Sequence, residues 1–269
     1  MFHTNKIIGI GFVLLALIYI SFHGSETLNQ SSNGDSRLVA NQVQNVDYLW
    51  NGKALFKDTA KGFEPVTDKV TTHTYDIMYG KFLLPYYYQN PTMKMLEIGL
   101  DCDMDYGPGA SVALYKKLFP QAELWEAEYD AACVEKYRHG ELEGINLLIG
   151  DQGNETTLDG WIDESGGNFD VVIDDGGHHN CQIWTSFKKL WPTVKLGGLY
   201  FIEDLQVAAR GANTVANTET CDSDLLVPDK LKEFLQGLLY DVHRRWDIEF
   251  LFCQSEGCVL GKKKGVSPV

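Results

Sequence analysis

Two clusters of acidic residues follow short apolar runs at separate points of the chain. The first is the segment DDGGHH over residues 174–179, and the second is the pair Glu203-Asp204. Asp175, Glu203 and Asp204 offer the hard carboxylate oxygens that Mg²⁺ or Mn²⁺ prefers in proteins. Carboxylates crowded together repel one another, so a bound cation or raised carboxyl pKa values must relieve that repulsion. The pattern therefore predicts a divalent metal site at these three residues.

A histidine pair ends the first acidic cluster. The ordinary pKa of an imidazole lies near neutrality, so His178 is suited to accept a proton from a reacting group. We therefore predict that His178 is a general base beside the metal. Two alternatives stay open at this point, because the histidines could themselves bind the metal or the whole cluster could be structural.

The strands and helices that position these residues are predicted from the pattern of apolar and polar residues after Lys94. Short apolar runs alternate with longer amphipathic stretches, which is typical of a parallel sheet covered by helices. The predicted strands span residues 95–100, 122–127, 145–149, 169–173, 199–202, 248–252 and 258–260. The predicted helices span residues 110–119, a stretch that ends at 137, and residues 179–191 and 230–240. We therefore expect a Rossmann-like, doubly wound α/β fold with a mostly parallel seven-stranded sheet.

Ligands of such sheets bind beyond the carboxyl ends of the strands, where the first three predicted strands end in glycines and acids. Gly107 and Gly109 precede a helix whose exposed amides suit a polar ligand. Glu126 and Glu128 alternate onto one side of the second strand, and Glu128 lies nearer its end. A carboxylate there can accept hydrogen bonds from two ribose hydroxyls. After the third strand, a polar side chain of Gly150-Asp151-Gln152 could reach an adenine amino group.

Taken together, these motifs resemble class I S-adenosylmethionine-dependent methyltransferases. The matching segments are EIG at 97–99, Glu128, GDQ at 150–152, IDDGGH at 173–178 and GGLYFIEDL at 197–205. The last two segments resemble, more narrowly, the metal-dependent sugar O-methyltransferases of macrolide biosynthesis and the related cephalosporin hydroxylase or rhamnosyl O-methyltransferase group. The resemblance covers about residues 94–204.

The resemblance implies roles for individual residues. Asp175, Glu203 and Asp204 would hold Mg²⁺ or Mn²⁺, and His178 would be the base. The residues implied to bind S-adenosylmethionine are Glu97, Gly99, Gly107, Gly109, Glu128, Asp151, Gln152 and Asp174. Asp101 stands where many of these enzymes have a second glycine. The implied reaction is metal-assisted methyl transfer to a hydroxyl of a sugar or polyol, with a small molecule or a glycan as the acceptor.

The N-terminal region has a different character. The run over residues 7–22 contains no charge and would be about 24 Å long as a helix. We predict a signal-anchor over residues 1–24, with a cleaved signal peptide and a buried core helix as alternatives. The basic residue before the run predicts that the body of the protein lies in the lumen. The expected location is that of a type II membrane protein of the endoplasmic reticulum or Golgi, or of a secreted protein if the signal is cleaved.

Three further regions complete the predicted organisation. Residues 25–45 are rich in Ser, Asn, Gln and Gly, which predicts a flexible stalk. Residues 46–93 are dense in aromatic side chains, which predicts a cap segment that shapes a substrate pocket or packs in the core. Residues 94–269 form the predicted methyltransferase-like domain.

Composition restricts the partners. The 269-residue chain has a formal net charge of -14 and a pI near 4.8, so its field repels nucleic acid, which we exclude as a partner. The even count of six cysteines fits an oxidising compartment, and Cys253 and Cys258 lie close enough to be bridged across a turn. Cys133 and Cys181 could instead be buried free thiols within helices.

Asn29 and Asn154 begin glycosylation acceptor patterns, so we expect a glycoprotein if the body enters the secretory pathway.

Three other functions remain as alternatives to methyl transfer. These are a catalytically silent binding protein of the same fold, a nicotinamide-dependent oxidoreductase and a metal-dependent hydrolase. The missing third glycine of the loop after the first strand disfavours the oxidoreductase.

Overall fold

The computed structural model describes residues 51–211, 225–240 and 247–265. The predicted signal-anchor and stalk lie outside these residues, as does Asn29. Among the described residues, no helix combines the length and the apolar character that crossing a bilayer requires. All described residues belong to one unit that spans residues 46–269.

A seven-stranded sheet organises this unit, as the sequence predicts. Its strands are β1 (Lys94–Ile98), β2 (Glu123–Glu128), β3 (Asn146–Ile149), β4 (Phe169–Asp174), β5 (Val194–Ile202), β6 (Ile248–Cys253) and β7 (Cys258–Lys262). Their spatial order is β3-β2-β1-β4-β5-β7-β6, and β7 runs in the direction opposite to the other six strands of this sheet. The prediction of a Rossmann-like, mostly parallel α/β sheet is therefore confirmed.

The helices cover both faces of the sheet. They are α1 (residues 51–60), α2 (Asp76–Met78), α3 (Leu84–Gln89), α4 (Ala110–Leu118), α5 (Ala131–Tyr137), α6 (Glu155–Ser165), α7 (Asn180–Leu190), α8 (Leu205–Gly211) and α9 (Val227–Leu239). A π-helical turn, Tyr79–Leu83, joins α2 to α3, and Asp68–Val70 and Trp191–Thr193 are 3₁₀ turns. The sequence patterning predicts neither α6 nor α8, because α6 buries few apolar side chains and α8 follows β5 without a separating turn signal.

Alternation along the central strands creates two apolar cores, one on each face of the sheet. Residues of β4 are buried throughout, with Val172 in one core and Val171 and Ile173 in the other. The second core is covered by the aromatic-rich segment before β1. Tyr79 of this segment stacks on Phe56 and contacts Phe201 of β5, each with ring centroids 5.0 Å apart. The aromatic segment is therefore part of the core.

All five cysteines of the described residues form disulfides. Cys253–Cys258 closes the turn between β6 and β7, as the spacing predicts. Cys102–Cys133 joins the segment after β1 to α5, and Cys181 is also disulfide-bonded. The alternative of buried free thiols is therefore wrong for Cys133 and Cys181, because a cysteine within a helix can still form a disulfide, as Cys133 does with Cys102 of the segment after β1.

Candidate active site

A cavity of about 580 Å³ opens at the carboxyl ends of β1 to β4. This is the edge at which open α/β sheets bind ligands, and the volume suits a nucleoside-sized molecule. Four of the predicted cofactor residues line the cavity, namely Gly99, Glu128, Asp151 and Gln152. Asp175 and His178 line it as well, so one predicted metal ligand and the predicted base lie at the same cavity as these four residues.

Glu128 is held in place by the backbone around it. Its Oε2 accepts a hydrogen bond from the Leu100 amide at 3.1 Å, and its Oε1 accepts one from the Asp130 amide at 2.8 Å. Each carboxylate oxygen has a further lone pair, so the fixed side chain can still accept hydrogen bonds from a ligand. Glu126 is fully buried, so Glu128 is the acidic residue of β2 that faces the cavity.

The other four predicted cofactor residues are not part of the cavity lining. Glu97 is fully buried and accepts hydrogen bonds from the Ser111 hydroxyl at 2.7 Å and the Tyr115 hydroxyl at 2.8 Å. Gly109 precedes α4 with a φ of 97°, and Gly107 approaches the ring of Tyr137. In the structure these residues contact other parts of the protein. Their direct contact with a cofactor stays a prediction.

Asp174, the fourth of these residues, is bound to the loop after β3. Its Oδ1 accepts a hydrogen bond from the Gln152 amide nitrogen at 2.8 Å, and its Oδ2 accepts one from Ser186. The Gln152 carbonyl oxygen in turn accepts a hydrogen bond from the Gly177 amide at 2.7 Å. Gln152 thus uses both ends of its side chain to join the loops after β3 and β4.

Asp101 adopts a backbone conformation that glycine favours. Its φ is 59°, in the left-handed region that aspartate tolerates better than most residues. The position that many methyltransferases fill with glycine is therefore filled here by a residue that meets the same backbone requirement. Burial, followed by the charge of Asp68, raises the pKa of the Asp101 carboxyl to about 6, against the effect of Lys69.

Asp175, His178 and Asp204 form a group that could hold a metal ion. One ligand atom from each residue lies within 4.8 Å of the others, and His178 Nε2 is 3.3 Å from Asp204 Oδ2. The two carboxylate oxygens suit a divalent cation of the Mg²⁺ or Mn²⁺ type, whereas the imidazole nitrogen is a more usual ligand of other transition metals. His178 and Asp204 have φ values of 54° and 51°, and such strained residues cluster at functional sites.

Glu203, the third predicted metal ligand, has different neighbours. Its carboxylate is almost fully buried and accepts hydrogen bonds from Lys69 Nζ at 3.1 Å and from the Tyr79 hydroxyl. It lies outside the group formed by Asp175, His178 and Asp204. The role of Glu203 as a ligand therefore stays a prediction.

Lys69 is the main residue that the sequence analysis missed. Its ammonium group donates a hydrogen bond to Asp175 Oδ2 and lies 3.2 Å from Glu97 Oε1, in addition to its bonds to Glu203. Burial acts to lower the pKa of Lys69, but the three carboxylates raise it well above the ordinary value. The Lys69 ammonium group therefore offsets part of the negative charge of Asp175, Glu203 and Glu97. An isolated lysine in a short 3₁₀ turn carries no sequence pattern that would reveal this role.

Tyr75 and His73 were missed for the same reason. The Tyr75 hydroxyl donates to Asp204 Oδ1 at 3.0 Å and accepts from the Asp204 amide at 2.9 Å. His73 Nε2 lies 3.6 Å from the same carboxylate oxygen, and its Nδ1 lies 2.8 Å from Glu256. These contacts fix the Asp204 carboxylate from the side of the aromatic segment.

The surroundings give the titratable groups different protonation states. Burial lowers the pKa of His178 more than Asp204 raises it, so the imidazole is neutral at neutral pH. Burial acts to raise the pKa of Asp204, but the hydrogen bond from Gln206 and the two nearby histidines lower it overall. A neutral imidazole therefore stands beside an ionised carboxylate, which suits proton transfer.

Comparison with known proteins identifies similar chains. No family model matches. The chain is 38% identical over 123 residues to mycinamicin VI 2''-O-methyltransferase of Micromonospora griseorubida, which covers 45% of this chain and 29% of that protein. It is 31% identical over 143 residues to 8-demethyl-8-alpha-L-rhamnosyl tetracenomycin-C 2'-O-methyltransferase of Streptomyces olivaceus. This match covers 53% of this chain and 36% of that protein. The chain thus spans about a third of the length of these relatives.

A solved structure agrees with this relation. A methyltransferase from the mycinamycin biosynthetic pathway, in complex with Mg, SAH and mycinamycin VI, superposes with a TM-score of 0.61 at 25% identity. The superposition covers 77% of this chain and 53% of the solved one. The chain therefore has the class I S-adenosylmethionine-dependent methyltransferase fold, and it is related to the sugar O-methyltransferases of macrolide and tetracenomycin biosynthesis.

Proposed function

We propose that the protein is an S-adenosylmethionine-dependent, divalent-metal-assisted O-methyltransferase that acts on a hydroxyl of a sugar or polyol. The observation that carries the proposal is the group of Asp175, His178 and Asp204, of which Asp175 and His178 line the same cavity as Glu128. The relatives and the solved structure support the same chemistry, since they are methyltransferases and the solved structure contains Mg and SAH.

The cavity would hold the methyl donor. Glu128 would accept hydrogen bonds from the ribose hydroxyls, for which its fixed carboxylate is well placed. Both ends of the Gln152 amide are used within the protein, so Asp151 is the better candidate to contact an adenine amino group. The acceptor would approach from the side of His178, where the metal group meets the cavity.

Asp175 and Asp204 would hold the divalent ion, with Glu203 as the further ligand that the resemblance implies. When bound, the ion supplies positive charge that favours the deprotonated acceptor oxygen. His178 takes the proton of the acceptor hydroxyl as that oxygen attacks the methyl group. The new C–O bond forms while the C–S bond breaks, and S-adenosylhomocysteine leaves. The Asp204 carboxylate stabilises the protonated imidazole.

Calorimetric titration of the full-length protein in detergent with S-adenosylhomocysteine, with and without Mg²⁺, tests the proposal. We expect micromolar binding and, with S-adenosylmethionine and Mg²⁺ present, methylation within a panel of sugars. Absence of binding under both conditions would contradict the proposal and favour a metal-dependent hydrolase. Binding without turnover on any acceptor would favour a catalytically silent protein.

We also propose that the domain lies in the secretory lumen, attached through the signal-anchor over residues 1–24. The described disulfides support this location, because disulfides persist in oxidising compartments. Asn154 is exposed, as a glycosylation site there requires. We expect the protein to sediment with membranes after an alkaline wash. Release into the supernatant would contradict the anchor.

The Cys102–Cys133 disulfide provides a separate prediction about cofactor affinity. Cys102 lines the cavity, and the bond joins its loop to α5 across 31 residues of sequence. Without the bond, the ligand would have to order this loop as it binds, so we expect the double variant C102S/C133S to bind S-adenosylhomocysteine about tenfold more weakly. Calorimetry measures this change.

The matched control removes the other described disulfide. The double variant C253S/C258S breaks a bond at the turn between β6 and β7, whose cysteines are not among the residues that line the cavity, and should bind with the affinity of the unaltered protein. Equal affinity of both double variants would show that the Cys102–Cys133 bond does not position the cavity wall.

A further inference from the structure

We propose that Lys69 is a built-in counter-ion that competes with the divalent metal for Asp175 and Glu203, and so weakens metal binding at the site. The inference rests on the proposed function, because it concerns the metal of the same site. It assigns a role to a residue outside the predicted metal and cofactor sets. The role can be measured through metal affinity alone, without turnover.

The contacts of the ammonium group carry the first step. Lys69 Nζ lies 3.1 Å from both oxygens of Glu203, 3.2 Å from Glu97 Oε1, and within hydrogen-bond distance of Asp175 Oδ2. The ammonium group donates hydrogen bonds to Asp175 and Glu203 and forms an ion pair with Glu97. The four side chains are between 0% and 9% exposed, so water screens these attractions little.

Asp175 contacts Lys69 and is also a member of the candidate metal group. One of its oxygens receives the hydrogen bond from Lys69, while Asp175 is also a member of the group with His178 and Asp204. A metal ion in that group and the Lys69 ammonium group would both bind the Asp175 carboxylate. Two cations at one carboxylate repel each other, so each lowers the affinity of the site for the other.

The backbone holds Lys69 in this position, which is the third step. Its amide donates to the Thr67 hydroxyl at 3.4 Å, and its carbonyl accepts a hydrogen bond from the Tyr75 amide at 3.0 Å. The side chain is 1% exposed, so the ammonium group is enclosed by the protein. We therefore expect the positive charge to stay at the site whether or not a metal binds.

Metal titration of full-length Lys69→Met, without cofactor or acceptor, tests the inference. Methionine has nearly the same length as lysine and no charge. We expect Mn²⁺ to bind about tenfold more tightly to Lys69→Met than to the unaltered protein, as measured by calorimetry. We also expect the melting temperature of the variant to be lower in EDTA and to recover with Mn²⁺, because the metal replaces the missing charge.

Two further variants keep the test decisive. The double variant K69M/E97Q removes one buried positive and one buried negative charge, so we expect it to stay folded even where the single variant does not. It too should bind Mn²⁺ more tightly. Lys61→Met changes an exposed lysine of the same segment and should leave the affinity unchanged. Unchanged or weaker Mn²⁺ binding by the Lys69 variants would overturn the inference.

The outcomes also separate this inference from the proposed function. If the unaltered protein binds Mn²⁺ and the Lys69 variants bind it equally well, the counter-ion role is wrong and the metal site stands. If neither the unaltered protein nor any variant binds Mn²⁺, the metal-assisted reaction itself is wrong, and the counter-ion role is overturned with it.

Discussion

Replacing His178 by asparagine should lower kcat for methyl transfer by about 10²–10⁴-fold and leave the affinity for S-adenosylhomocysteine unchanged. The loss follows from the removal of the group that takes the acceptor proton. Asparagine is the appropriate replacement because His178 has a φ of 54°, which asparagine tolerates and alanine does not. Steady-state kinetics and calorimetry on the same preparation measure the two quantities.

A histidine elsewhere serves as the control for this variant. His139 is exposed and lies in the segment after α5, so His139→Asn should have unaltered kinetics. The metal affinity of His178→Asn decides between the two roles that the sequence left open. Unchanged Mn²⁺ affinity with a reduced kcat supports the base, whereas a large loss of Mn²⁺ affinity would make His178 a metal ligand. A normal kcat of His178→Asn would show that His178 takes no part in the reaction.

Asp204→Asn should weaken Mn²⁺ or Mg²⁺ binding by at least about 100-fold and reduce methyl transfer accordingly, because a charged ligand is replaced by a neutral one. Asp204 has a φ of 51°, so asparagine again preserves the backbone. The carbonyl oxygen of the introduced asparagine can still accept the hydrogen bond from Tyr75, so the loss should arise from charge rather than from unfolding. Calorimetric titration with Mn²⁺ measures the effect.

Asp105 provides the matched control for this second variant. It belongs to the acidic loop after β1 but is exposed and is not among the residues that line the cavity. Asp105→Asn should therefore bind Mn²⁺ with unaltered affinity. If Asp204→Asn retained its affinity as well, the metal could not be held by the group of Asp175, His178 and Asp204, and the proposed site would have to be abandoned.

Sequence patterning predicts the sheet well because its strands are short, apolar and regularly spaced. The run FDVVI becomes β4, and the acidic clusters after β4 and β5 meet at one edge because adjacent parallel strands end there. Glu128 lines the cavity at the end of β2, while its contact with a cofactor stays a prediction. These successes share one cause, since strand alternation and the carboxyl-end rule place residues without knowledge of distant contacts.

The remaining features depend on contacts that no local pattern encodes. Lys69 and Tyr75 reach the site from a segment that precedes β1, and their partners follow 106 and 129 residues later. Glu97 and Asp174 match the motifs of cofactor residues, but which of their oxygens are used by Ser111 or Gln152 depends on packing across elements. Such pairings become visible only in the folded protein.

The attachment of the aromatic segment to the end of the chain also affects how the protein is made. His73 pairs with Glu256, which is synthesised 183 residues later. At about 5–20 residues per second, the ribosome needs roughly 10 to 40 s to cover that distance. Early in this interval Phe56, Tyr79 and Leu83 lack the strands of their core, and Val259 of β7 follows only after Glu256. We therefore expect the apolar side chains of the newly made segment to stay partly exposed until the later strands of this core emerge.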